Sequence, residues 1–119
     1  MEIAGSNPVA PASPNKMTKL DAIKIGKNYK TELEKNNIPV SAMYLFGSFA
    51  RGKQREGSDI DFCVVSNNFG KNDFEEMVAI NQIGKKVSPF IEAFPVSEKD
   101  FLDGSNPIGV EAKKTGKKF

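Results

Sequence analysis

Residues 47–61 read Gly47-Ser48-Phe49-Ala50-Arg51-Gly52-Lys53-Gln54-Arg55-Glu56-Gly57-Ser58-Asp59-Ile60-Asp61. The run before them, Ala42-Met43-Tyr44-Leu45-Phe46, is nearly uniformly apolar, as expected of a short strand covered on both faces. Gly47 lets the backbone turn sharply at the end of that strand and lie close to a ligand. Ser48 is a helix N-cap residue type, which would leave the N–H groups of the next turn available to phosphate. A short helix is expected over 48–54, then a loop with Lys53, Arg55 and Glu56 exposed.

The following run, Asp59-Ile60-Asp61-Phe62-Cys63-Val64-Val65, alternates as a strand. Asp59 and Asp61 share one face, with Ile60, Phe62 and Val64 on the other. Two carboxylates this close repel unless a cation neutralises them. Hard oxygen ligands favour magnesium or manganese, which keep several waters and also bridge substrate phosphates. A divalent ion with a nucleoside triphosphate fits this chemistry best.

A third carboxylate stands in Pro89-Phe90-Ile91-Glu92-Ala93-Phe94-Pro95-Val96, where Glu92 is the one charged residue of an otherwise apolar strand. Burying it unpaired would be expensive. Beside Asp59 and Asp61 it could complete a metal site or accept the proton of an attacking hydroxyl. Histidine cannot take that role, because the chain has none.

On these residues the chain resembles the minimal nucleotidyltransferases of the DNA polymerase beta superfamily, whose signature is Gly-Ser, a spacer of about ten residues, Asp-x-Asp and a later strand carboxylate. The resemblance covers residues 18–119. The signature maps onto Gly47, Ser48, Asp59, Asp61 and Glu92, and Arg51, Gly52 and Ser58 match its usual surroundings. Two positions depart from the pattern: Phe49 stands where a basic residue is common, and Glu92 replaces the more usual aspartate.

The resemblance implies a polymerase-beta-type α/β fold with a small mixed sheet. It also implies magnesium- or manganese-dependent transfer of AMP from ATP. Asp59, Asp61 and Glu92 would be the catalytic and metal residues, and Gly47, Ser48, Arg51 and Ser58 the nucleotide contacts. The chain looks like the small members that form half of toxin–antitoxin modules. Those members move AMP onto a hydroxyl, typically tyrosine, of a helical HEPN-type ribonuclease toxin, so a hetero-oligomer is expected. Two alternatives are a module that neutralises a toxin by binding alone, and a small-molecule or RNA nucleotidyltransferase. The short chain argues against the second, whose members normally add a domain for the acceptor.

Composition agrees with one ordinary globular domain. The chain has 119 residues, 39% hydrophobic and 27% charged, with a net charge of +2. These values point neither to a membrane protein nor to a strongly basic nucleic-acid binder. A single cysteine, Cys63, allows no intramolecular disulfide and suits a reducing cytoplasm. It reads as a core residue, since no histidine is present to activate it. Residues 1–17, rich in Pro, Ala, Ser and Asn, are expected to form a disordered or non-native tail, with the domain over 18–119.

Along the rest of the chain, Thr18 opens a helix with Ala22, Ile25, Tyr29 and Leu33 on one stripe, ended by Asn36, Asn37 and Pro39. Asn72 caps a second helix whose Phe74, Met77, Ile80 and Val87 are expected to face the sheet. Ser97 begins another capped turn, and Pro107 opens a last helix that stops near Gly116. The alternation of elements predicts helices packed on one face of the sheet, with the other face left to catalytic loops. Lys113, Lys114, Lys117 and Lys118 read as a solvated end.

Overall fold

The structure is a computed structural model that describes residues 17–119. The expected tail therefore falls, apart from Met17, outside the described residues; Met17 itself packs against the core. Helix α1 runs Lys19–Lys35 and starts as predicted. Thr18 Oγ1 accepts from Asp21 N at 3.1 Å, while Asp21 Oδ2 accepts from Thr18 N at 2.9 Å, a reciprocal capping box. Its buried residues are Ala22, Ile25, Gly26, Tyr29 and Leu33, which include the whole predicted stripe. The helix ends at Asn36, and Asn37 turns the chain with φ 65°.

Strand β1 is Ala42–Phe46 and β2 is Ile60–Ser66. Helix α2 spans Asp73–Val87, capped by Asn72, whose side chain accepts from Glu75 N. Strand β3 is Ile91–Ser97, followed by α3 (Glu98–Asp103), α4 (Pro107–Thr115) and the short β4 (Lys117–Lys118). The sheet order is β3-β2-β1-β4. β1 is antiparallel to β2 and β4, and β2 is parallel to β3, so the sheet is mixed as the resemblance implied. Lys117 and Lys118 keep exposed side chains, but their backbone pairs with Leu45 and Tyr44. Strand β4 had no apolar alternation by which to announce itself.

Helices cover both faces, which corrects the expectation of one. Helices α1 and α2 bury the face carrying Met43, Leu45, Ile60, Phe62, Val64, Ile91 and Ala93. The short α3 and α4 cover part of the opposite face, where Tyr44, Phe46, Cys63, Val65, Val96 and Ala112 form a second cluster with Phe101 and Ile108. The reason lies in the strands: β1 and β2 are apolar at nearly every position, so both faces need cover. The loops expected to be catalytic keep only the end of that second face.

Helix α2 also sits differently from expectation. Ile80 and Gly84 are its buried residues, with Ile83 and Val87 partly buried, whereas Phe74 and Met77 are exposed. Its first turn runs past the core, which it meets only from Ile80 onward. Further along, α2 closes the free edge of β3: Asn81 donates to Ala93 O and accepts from Ala93 N, both at 2.9 Å. Lys85 Nζ donates to Ile91 O at 2.6 Å, and Pro95 has no N–H to offer, so this edge is blunted against further strand pairing. Among the described residues, no helix is long and apolar enough to cross a membrane.

Candidate active site

The site is built where β1 ends, β2 begins and β3 runs alongside. Antiparallel pairing sets Phe46 opposite Asp61, so the chain leaves β1 at Gly47 beside the Asp61 carboxylate. Gly47 has φ +76°, and a Cβ added there would lie 2.3 Å from Asp61 Oδ2. Any side chain would therefore combine backbone strain with a collision at the carboxylate.

The segment after Gly47 is a single turn rather than the expected helix. Arg51 N donates to Gly47 O at 3.2 Å, Lys53 N donates to Ser48 O at 2.8 Å, and Gly52 ends the turn with φ +70°. The turn is too short and too tightly closed to continue as a helix. Its shape is held from below by Phe49, which is 2% exposed and belongs to the main core cluster. That explains a hydrophobic residue where resemblance suggested a cation: Phe49 anchors the turn and leaves Ser48 and Arg51 toward solvent. Ser48 is half-buried and Arg51 exposed.

Parallel pairing of β2 with β3 sets Asp61 directly beside Glu92. Asp59 lies one residue before β2, an even step from Asp61, and is exposed. Glu92 is also exposed, because β3 alternates buried Ile91 and Ala93 with an outward position between them. The expected desolvation of Glu92 does not arise. Asp61 is the half-buried member of the three, and its environment shows in its protonation. Burial first, then the neighbouring Glu92 and Asp59 carboxylates, together push its carboxyl from 3.8 up to about 6, with the Arg51 guanidinium opposing the rise.

Two carboxylates and one guanidinium thus lie within electrostatic reach of Asp61. Among the described residues, no three Asp, Glu, Cys or His side chains close around a single point. The carboxylates share an end of the sheet, and their donor set, all hard oxygen with mutual repulsion to relieve, fits magnesium or manganese.

Ser58 has a local role: its Oγ accepts from Arg55 N at 2.7 Å, and its N donates to Arg55 O at 2.9 Å, closing the loop that delivers Asp59. Cys63 follows Asp61 on the same strand face but is fully buried, and burial pushes its thiol up to about 12. It is core, as expected. Glu111 of α4 was not singled out by the sequence, yet it lies 3.5 Å from Arg51 Nη1. An isolated glutamate on an amphipathic helix carries no spacing signal that could have found it.

The sequence profile of the nucleotidyltransferase domain matches residues 27–109, which include α1 beyond its first turns, the whole site and the start of α4. The chain belongs to the nucleotidyltransferase domain family. Among curated proteins, this nucleotidyltransferase domain is similar to the "Putative protein adenylyltransferase MJ1215" of Methanocaldococcus jannaschii, 48% identical over 50 residues. The aligned stretch is 41% of this chain and 57% of that relative's length. Among solved structures it resembles a "putative nucleotidyltransferase" from Sulfolobus solfataricus, with TM-score 0.58 and 22% identity over 71% of this chain and 75% of that one. That likeness concerns the fold. It also resembles a chain of a toxin–antitoxin crystal structure with AMP-PNP, with TM-score 0.52 and 26% identity over 77% of this chain and 70% of that one.

Proposed function

We propose that this nucleotidyltransferase domain moves AMP from ATP onto a hydroxyl of a partner protein, with a tyrosine of a helical HEPN-type toxin as the acceptor, and so acts as an antitoxin. The single observation that carries this reading is the register that sets Asp61 beside Glu92 while Gly47 abuts Asp61. It brings the carboxylates and the Gly-Ser turn to one corner of the sheet. Two similarities support the finer assignment: one relative is named as a protein adenylyltransferase, and one structural neighbour comes from a toxin–antitoxin structure with AMP-PNP.

In this reading the Gly47–Gly52 turn receives the phosphates, with Ser48 contributing its hydroxyl, Arg51 its guanidinium, and Ser58 a contact from the neighbouring loop. Asp59, Asp61 and Glu92 would hold magnesium or manganese, which would supply charge neutralisation at the attacking and leaving oxygens. The acceptor oxygen forms a bond to the α-phosphorus, the bond from that phosphorus to the β-phosphate oxygen breaks, and pyrophosphate leaves. The hydroxyl proton passes to a carboxylate of the trio, with Glu92, at an outward position of β3, the candidate. Oriented charge rather than covalent chemistry supplies most of the rate. The acceptor surface comes from the partner, which makes a hetero-oligomer the working form, and a reducing cytoplasm suits the lone buried thiol.

The test is mass spectrometry of a HEPN-type partner after incubation with the protein, ATP and magnesium. An AMP adduct on a tyrosine supports the proposal. Toxin neutralised in a tight complex that carries no adduct would overturn it in favour of binding alone.

A further inference from the structure

We infer that Glu111 positions Arg51 at the rim of the site, so that the guanidinium is presented to the triphosphate instead of falling onto the carboxylates. The inference rests on the nucleotide-binding reading above and adds a residue outside the signature. Arg51 lies in the single turn that Gly52 ends, its backbone fixed by Arg51 N donating to Gly47 O. Its side chain, however, is 47% exposed and carries several rotatable bonds. Asp59, Asp61 and Glu92 all attract it, and an arginine lying across them would occupy the place of the cation they are built to hold.

A fourth carboxylate, from a different element, competes for it. Glu111 Oε2 lies 3.5 Å from Arg51 Nη1 and 2.9 Å from Thr115 Oγ1, whose one hydroxyl hydrogen it shares with Glu111 O at 3.0 Å, so the rotamer is steadied in part from within α4. Helix α4 is itself fixed. Ala112 is fully buried against the sheet, and a Cβ on Gly116 would stand 2.8 Å from Leu45 O. The helix therefore meets β1 one residue before that strand's end, beside the turn that carries Arg51. The tether runs from β1 through α4 to Glu111 and on to Arg51.

The exposure of both partners decides what this pair does. A pair so wetted contributes little to stability, so its effect should be read in where Arg51 points rather than in the melting temperature. The residue acts through Arg51 and touches neither nucleotide nor acceptor.

The experiment is a double-mutant cycle of E111A and R51A, read as KM and kcat for ATP and, independently of turnover, as the ATP-induced rise in Tm. E111A should raise KM for ATP roughly five-fold with kcat little changed, the size that a half-exposed ion pair can supply. In the R51A background the same change should leave KM unchanged or lower it, because one negative charge near the triphosphate has gone. E111Q should resemble E111A, and T115V should move KM the same way by less. An equal penalty in both backgrounds, or none in either, would overturn the inference. Should transfer be absent while the Tm cycle shows the coupling, the inference stands and the proposed reaction fails.

Discussion

Gly47 and Asp61 are in contact across the β1–β2 corner so closely that a Cβ on the glycine would stand 2.3 Å from the aspartate Oδ2. The turn proposed to receive phosphate and the carboxylate proposed to hold metal are thus one piece of geometry. Neither can be moved without the other.

Gly47→Ala is expected to lower stability by about 2 kcal/mol through left-handed strain and to displace Asp61, with loss of nucleotide transfer. Gly57→Ala is the control: its φ is +81° but nothing lies within 4 Å of an added Cβ. It should carry the strain alone, about 1 kcal/mol, and retain transfer. Thermal unfolding and transfer assays on both variants separate the two effects, and equal loss of transfer would contradict the contact's role.

The raised Asp61 carboxyl has a definite pH signature. Its pKa goes from 3.8 to about 6 on folding, so in that window the folded chain holds more protons than the unfolded one. Stability of the metal-free protein therefore falls as pH rises from about 4 to 6. The full displacement corresponds to about 3 kcal/mol, but the group is half in solvent, so about 1 kcal/mol is expected. Asp61→Asn should remove that slope and leave the variant more stable than wild type by about 1 kcal/mol at pH 8. Denaturant titrations across pH check it; parallel curves for the two proteins would refute it.

Phe49 should behave as core and not as a site residue. Phe49→Ala is expected to cost about 3–5 kcal/mol, while Phe49→Leu should cost about 1 kcal/mol and keep transfer. Urea unfolding with parallel activity measurement decides between that and a direct role in binding ATP, which Phe49→Leu would impair without loss of stability.

Cys63, fully buried with its thiol pushed up to about 12, should be inert to thiol reagents in the native protein and react only on unfolding. Its labelling rate should track the fraction unfolded in denaturant. Rapid labelling of the native chain would contradict its burial.

The elements that were legible in the sequence are those whose information is local. The α1 stripe of Ala22, Ile25, Tyr29 and Leu33, its Thr18–Asp21 capping box and the Asn72 and Ser97 caps each lie within a few turns of chain. The Asp59–Asp61 face followed from strand alternation. What was not legible depends on partners distant in sequence. The pairing of Asp61 with Glu92 is a register across 31 positions, and only the fold sets it. Phe74 and Met77 fit a helical period as well as Ile80 does, but the core stops short of them. Lys117 and Lys118 become a strand because β1 offers an open edge there, and Glu111 becomes relevant because α4 packs beside the turn.

The central claim, that Asp59 and Asp61 support AMP transfer to a partner protein, is tested most directly with α-labelled ATP, magnesium and a HEPN-type toxin. The wild-type protein and an Asp59→Asn/Asp61→Asn double variant, shown by circular dichroism to be folded, are assayed side by side. The account predicts label on the toxin with wild type and none with the double variant. Undiminished labelling by the double variant would contradict it.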